Sequence, residues 1–388
     1  GGGIVGLAHA YLAARDGRRV ALLERSVAPV GASVRNFGMF WPIGMAPGRD
    51  LGRAMFGRGV WLEIAERYGV RAEACGSVHA ARTEAEAAVL REFAGVADSL
   101  GYAAEFVTPE EARSHCPALR ADGLIGGLWS STELALDPAS AIRQLHQALR
   151  TDLGVEVRCG TAAARVESGV VHTAGGERFE GDRIIVASGQ DFETLFPAVF
   201  AESPITRCKL QMMRTDAQPG GWRLGTHLAG GLTLRHYSAF QGCRSLPALK
   251  RELDAAYPEY GTHGIHVMAS QTGAGQVVIG DSHQYGLDVP VFDSARIDEL
   301  ILGYLRAMVE LPDPAITERW HGVYAKRTDG RTVFHARPMD GVDIVNAIGG
   351  AGMTLSFGVA SEVLRGARAD VDEPVQQAVS LERAAVAE

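Results

Sequence analysis

The sequence predicts two domains, a Rossmann-like α/β domain and an α+β domain built on a mostly antiparallel β-sheet. Three observations lead there. Gly1-x-Gly3-x-x-Gly6 opens onto an apolar, Ala-rich stretch at 4–16 and then a short apolar run at 19–24 that ends on Glu24, the loop, helix and strand of a dinucleotide-binding unit. From 205 to 278 the pattern changes to longer β-type runs broken by one helical stretch, as in a sheet with helices on one side. After 343 the first style returns, with a buried strand, a glycine cluster and a helix. The first domain is therefore assembled from 1–80, 135–203 and 325–388, and the second from 81–134 and 204–324. A chain of 388 residues with 46% hydrophobic and 22% charged residues is long enough for two packed cores.

In chain order, the 4–16 stretch reads as a helix and 19–24 as a strand. A phosphate loop of this kind normally follows a buried strand, so a strand is expected upstream of Gly1. Residues 31–49 mix Gly and Pro with Phe37, Phe40 and Trp41, a composition that predicts packing against another group rather than a surface loop. Helices are predicted over 51–68 and 84–100. Thr108-Pro109-Glu110-Glu111 begins another with a capping box and Pro in the first turn. Asp137-Pro138 starts a helix to about 153, with Asp137 as its side-chain cap. Strands are predicted over 155–157, 165–171 and 183–187, with Gly189 as the turn that follows. In the second domain, strands at 207–214, 232–239, 265–271 and 276–279 are interrupted by a helix at 246–257. The last strand covers 343–348, and the last helix 354–364.

Composition narrows the function. Lys and Arg number 38 against 46 Asp and Glu, a formal net charge of −8, and the basic residues are scattered, which disfavours nucleic acid and anionic membrane surfaces as partners. The five cysteines, Cys75, Cys116, Cys159, Cys208 and Cys243, are far apart with no C-x-x-C pair and no His at zinc-ligand spacing. No metal is expected, and reduced thiols in a cytoplasmic protein fit better than a disulfide framework. No run is apolar enough to suggest a membrane span, and no basic-then-apolar leader precedes the first motif.

Three segments carry chemistry. Gly1, Gly3 and Gly6 permit a tight turn in which backbone N–H groups at a helix start approach a pyrophosphate. A plain Gly-rich turn would explain the glycines alone, but Glu24 stands close to the offset of a ribose-binding acid. Ile184-Ile185-Val186-Ala187-Ser188-Gly189 is a buried strand with a small-residue turn, where Gly189 permits close backbone approach. Ile348-Gly349-Gly350-Ala351-Gly352-Met353-Thr354-Leu355 places small residues before a helix, a positive helix end suited to the charge of a reduced flavin. Close helix-sheet packing is the competing account of these glycines.

Taken in order, GGGIVGL, ALLER, GASVRNFGM, IIVASG and GGAGMTLSFG resemble the FAD-dependent amine and amino-acid oxidase family that includes D-amino-acid, glycine and sarcosine oxidases. The resemblance covers essentially the whole chain. It implies FAD as cofactor, with Gly1, Gly3 and Gly6 on the pyrophosphate and Glu24 on the adenosine ribose, with Arg25 beside it. It implies that Ser33, Asn36 and Gly38 lie along the flavin and the backbone near Ala163 meets the adenine. Gly189 would approach the dinucleotide, and Gly349, Gly350, Gly352, Met353 and Thr354 would face the pyrimidine edge of the flavin.

The departures from the family are informative. Its amino-acid oxidases carry an Arg in G-x-R-P that clamps a substrate carboxylate, and Tyr324 of the Trp320–Ala325 stretch stands in that place. A phenol cannot form the bidentate pair of a guanidinium. Gly322 replaces the Cys that sarcosine oxidases link to flavin, which implies non-covalent FAD. Val278, two residues before Gly280, replaces their oxygen-activating Lys, so the electron acceptor, oxygen or another, stays open. KLQMM, LTLRHYSAF, GDSHQYG and RWHGVYAKR are similar to a bacterial subgroup of aminophosphonate catabolism. That similarity implies oxidation of 2-aminoethylphosphonate or its N-methyl form to phosphonoacetaldehyde. Tyr324, His283 and Tyr237 are the candidate catalytic side chains, and His236, Tyr285 and Lys326 the candidate substrate donors. Glycine, sarcosine or D-amino-acid oxidation, a nicotinamide dehydrogenase and a non-catalytic flavin-binding subunit remain as alternatives.

Overall fold

The computed structural model describes residues 1–370, so the predicted first-domain segment beyond 370 lies outside the described residues. Two short parallel pairs flank the glycine loop: Ala21–Glu24 with Glu156–Cys159, and Ile184–Val186 with Val342–Asn346. Phe334–Met339 extends the second pair in the antiparallel sense. Around them pack the helices Ile4–Arg15, Arg49–Tyr68, Pro138–Thr151 and Gly352–Leu364. Tyr11, Trp61 and Phe357 share one apolar core there, with ring centroids 5.9 Å apart for Tyr11–Phe357 and 5.4 Å for Trp61–Phe357.

A nine-stranded sheet forms the other half of the molecule. Its long central pair, Ile205–Ala217 and Ile316–Arg327, is antiparallel from Ile205 opposite Arg327 to Thr215 opposite Ile316. Gln284–Gly286, Gln276–Gly280, Met268–Gln271, His227–Ala229, Ser77–Ala81, Gly126–Ser130 and Ala104–Val107 complete it. Only His227–Ala229 against Ser77–Ala81 is parallel within this sheet. The helices Glu84–Ala97, Leu246–Ala256 and Ala295–Met308 bury Leu90, Phe93, Leu249, Leu253, Ile301 and Leu305 in the core cluster to which this sheet contributes Val78, Leu128 and Ile279.

Most helices fall where their periodicity puts them, and the Thr108 capping box forms as predicted, Thr108 Oγ1 accepting from Glu111 N and Glu111 from Thr108 N. Residues 40–45 are buried, as their aromatic content predicts. Three expectations are corrected. Asp137 occupies the cap position without capping, because its carboxylate instead accepts from Arg71 Nη1 and Gly273 N. The 165–171 run is two strands, Ala163–Glu167 and Val170–Thr173, turned back by Gly169 at φ 77°. The predicted 232–239 strand consists of 3-10 turns, Gly231–Thr233 and Ser238–Gly242. Thr233 Oγ1 bonds back to Gly230 O, a local alternative to a strand ladder, while Leu232 and Leu234 are still fully buried. No helix among the described residues is long and apolar enough to cross a membrane.

Candidate active site

The glycine loop joins the two parallel pairs. A Cβ on Gly1 would lie 2.2 Å from Ala187 O, and one on Gly6 1.9 Å from Gly1 O, so neither position accepts a side chain. Gly2 N donates to Glu24 Oε2 at 2.7 Å, and Ser26 N to Glu24 Oε1 at 2.9 Å. Burial works to raise the Glu24 carboxyl, but these two N–H donors outweigh it and hold the group below its ordinary value. Each carboxylate oxygen keeps a lone pair for a further donor. Thr161 N donates to Glu24 O, which brings the start of the Ala163 strand to the same end.

The segment after the second loop residue is held from within. Ser33 Oγ accepts from Ile4 N at 2.9 Å at the start of the first helix, so it serves the glycine loop itself. Asn36 donates to Ala32 O and Ser33 O and accepts from Gly38 N. Gly38 has φ 75°, and a Cβ there would meet Leu136 O at 2.1 Å. Arg25 forms an ion pair with Asp191 at 2.7 Å, and its exposed side chain makes this a weak contact.

The second glycine cluster lies beyond Val342–Asn346. Asn346, which sequence reasoning missed, donates to Gly189 O at 3.0 Å and accepts from Ala347 N at 2.7 Å, tying both strand-end turns together. An Asn at the end of a buried strand, just before the glycine cluster, was the available signal. Ala347 has φ 52°, strained for a residue with a Cβ and a kind of strain that gathers at ligand sites, while Gly349 at φ 68° takes the left-handed region freely. Gly189, also left-handed, faces open space within 4 Å. The Gly352–Leu364 helix has no side-chain cap at its start, so its first-turn N–H groups suit an anion or a polar ring edge. Met353 is core instead: its side chain is buried and its carbonyl accepts from Trp61 Nε1. Thr354 Oγ1 accepts from Trp41 N at 2.9 Å and is buried, so it locks the 39–44 segment to this helix.

Against this cluster runs the strand Ile316–Arg327. A Cβ on Gly350 would lie 3.4 Å from Tyr324 Oη, and Lys326 bridges to Ile348. Tyr324 is buried beside Cys208, Leu210, Met212 and Val278, and burial pushes its phenol well above the ordinary value. Lys326 Nζ donates to Tyr285 Oη at 3.1 Å. Tyr285 stacks on His283 at 6.1 Å between centroids, His283 lies 4.4 Å from His236, and His236 lies 5.3 Å from Tyr237. Lys326, Tyr285, His283, His236 and Tyr237 therefore form one chain of contacts, and Tyr324 adjoins it through Cys208, which lies opposite both Tyr285 and Tyr324 in the sheet. Tyr237 donates to Met268 Sδ at 3.2 Å and neighbours Trp41 at 6.0 Å between centroids. Sequence reasoning missed His266 and Asp281, which join this group from separate segments and carry no local motif.

Two glycine-bounded helix starts, a buried acid at a strand end and an antiparallel sheet abutting the second glycine cluster define the architecture of a dinucleotide-dependent oxidoreductase. Residues 1–365 match the family described as FAD dependent oxidoreductase, DAO, and the chain belongs to that family. Among curated proteins no match is found. The fold is similar to glycine oxidase from Geobacillus kaustophilus, with TM-score 0.74 and 19% identity over 96% of this chain and 95% of that one. L-proline dehydrogenase from P. horikoshii gives 0.74 and 18% over 95% and 92%. Iminodiacetate oxidase from Chelativorans sp. BNC1 gives 0.70 and 18% over 96% of each chain.

The residues present fit FAD. The lack of side chains at Gly1, Gly3 and Gly6 lets the loop turn tightly against Ala187 O, Ser33 Oγ and Gly1 O at the helix start, Glu24 offers acceptors for ribose hydroxyls, and Gly189 and Gly349 are left-handed glycines with no protein atom closer than 4.0 Å to a Cβ placed there, so a ligand can approach their backbone. The chain is an FAD-dependent oxidoreductase.

Proposed function

We propose that this enzyme oxidises a small primary or secondary amine bearing an anionic tail, with 2-aminoethylphosphonate or its N-methyl form as substrate and phosphonoacetaldehyde as product. The observation that carries the reading is Tyr324, buried against Gly350 where the resemblance expects a carboxylate-clamping Arg. A tetrahedral phosphonate takes several separate donors in place of one planar fork, and Tyr324, Tyr285 and Lys326 are assigned as those donors, with His236 and His283 beside them. The names of three fold relatives, glycine oxidase, proline dehydrogenase and iminodiacetate oxidase, support an amine as the group oxidised.

FAD held by the Gly1–Gly6 loop, Glu24 and the 349–352 glycines would supply a two-electron acceptor for the hydride on the carbon bearing the neutral amine. Lys326 and Tyr285 are assigned to the substrate's anionic end, and Tyr324 and Tyr237 to the walls that position the reacting carbon and exclude water. Burial lowers the His283 imidazole to about 4, so near neutrality it is an uncharged hydrogen-bonding group. The substrate carbon leaves as an imine, which water converts to an aldehyde with release of ammonia or methylamine.

Anaerobic bleaching of the flavin tests this. 2-Aminoethylphosphonate or its N-methyl form should reduce it at least tenfold faster than glycine, sarcosine or D-alanine, since a smaller anion reaches fewer of these donors and a buried one left unpaired, such as Tyr324, costs about 1–3 kcal/mol. Tyr324→Phe should raise KM for the phosphonate more than it lowers kcat. Faster reduction by glycine or sarcosine would replace the phosphonate with a carboxylate substrate.

A further inference from the structure

His236, His266 and His283 bring one ring nitrogen each to within 4.8 Å of one another. The three ring centroids lie 4.2, 4.4 and 4.9 Å apart, with His266 and His283 stacked at 22° and His236 tilted by 37° and 42° to them. They arrive from three separate stretches: the turn after Thr233, the residues before the Met268–Gln271 strand, and the residues after Gln276–Gly280. Histidines gathered at this range in a core normally hydrogen-bond to one another or to neighbours. These do so incompletely. His283 Nδ1 lies 3.0 Å from Gly264 O, which leaves its Nε2 for another partner. His266 is buried, and its Nδ1 makes no hydrogen bond. Asp281 is buried beside them, its Oδ1 3.1 Å from His266 Nε2 but without a hydrogen-bond partner.

We propose that His236, His266 and His283 hold a divalent transition-metal ion of the zinc class, with Asp281 against the ligand His266. Metal-bound histidines are oriented by an acceptor on the ring nitrogen that does not ligate. Gly264 O stands in that relation to His283, and Asp281 Oδ1, 3.1 Å from His266 Nε2, is near enough to take it up when His266 ligates through Nδ1. Three neutral nitrogen donors favour zinc, nickel or copper over magnesium or calcium, which prefer all-oxygen sets. Three protein ligands also leave a position open, as in zinc sites that bind an exogenous oxygen. The cluster continues into Tyr285 and Lys326 through the His283–Tyr285 stack. What fills the open position rests on the proposed function: a phosphonate oxygen, with Lys326 beside it.

The test uses the tag-free holoenzyme, purified without chelator, reconstituted with Zn2+ and desalted before elemental analysis. The expected result is about one zinc per FAD. His266→Ala and the more exposed His236→Gln should each weaken Zn2+ at least tenfold in competition with a chromophoric chelator, while the flavin spectrum and circular dichroism stay unchanged. Zinc below a tenth of stoichiometry in the wild type, or equal Zn2+ affinity in wild type and both variants, overturns the proposal. The readout needs no amine, so a stoichiometric metal in an enzyme that prefers glycine would retain the metal site and refute the phosphonate substrate. Added 2-aminoethylphosphonate should tighten Zn2+ in the wild type, and the His236→Gln variant should lose that effect.

Discussion

At the scale of single residues, Glu24 has two duties that pull in the same direction. Its carboxylate accepts from Gly2 N and Ser26 N, which shapes the glycine loop, and its remaining lone pairs suit the ribose hydroxyls. Glu24→Ala should therefore weaken FAD by about 1.5–3 kcal/mol, the range for hydrogen bonds to a charged group, with kcat retained once flavin is saturating. Titration of the apoprotein with FAD measures it, and an unchanged affinity would assign the ribose to another group. The place of Glu24 beside the glycine loop was readable because the strand-end acid lies at a fixed offset from the three glycines. Ser33 was readable only in part: the motif placed it near the cofactor, but its bond to Ile4 N depends on two segments meeting in space. Met353 looked like its glycine neighbours in the string and is core, because the helix turns its side chain away from the cluster.

At the scale of elements, the strand Val342–Asn346 positions the second glycine cluster and is itself anchored by Asp343. That buried carboxylate receives His335 Nε2 at 2.7 Å, Arg183 Nε at 2.7 Å and Arg337 Nε at 2.8 Å. Burial works to raise Asp343, and these partners outweigh it and hold the group well below the usual carboxylate range. A depressed folded value contributes stability that is fully present above the unfolded value of about 3.9 and fades as pH falls through the folded one. Asp343→Asn should cost about 2 kcal/mol at pH 7, less than the roughly 3–5 of a fully buried pair because Arg183 and Arg337 reach solvent. Urea denaturation should show the gap between variant and wild type narrowing below about pH 4, and a gap independent of pH would contradict the assignment. Helices were the legible elements, since a 3.6-residue period and caps such as Thr108 are local. The 232–239 run misled because alternating Leu232 and Leu234 satisfy a core equally well from successive turns, which are held by Thr233 Oγ1 and Thr233 N on Gly230 O, Leu234 N on Gly231 O and His236 N on Thr233 O.

At the scale of the whole molecule, the Ile316–Arg327 strand brings the large sheet against the glycine cluster, and Gly322 lies in that strand beside Arg35 O and Leu210. With no Cys at Gly322, FAD should be released entirely into the supernatant on acid precipitation, and colour left in the pellet would show a covalent link. By itself the sequence determined the class of fold, the cofactor and the glycine loops, because each depends on residues close together in the chain: steric freedom at Gly1, Gly6 and Gly38, helix starts, and an acid at a strand end. His236, His283, Tyr285, Tyr324 and Lys326 were named from the resemblance of their segments, but only tertiary structure decided that they meet and that His266 and Asp281 join them. These residues converge from four segments, and their contacts are set by strand register and packing, neither of which leaves a spacing in the chain.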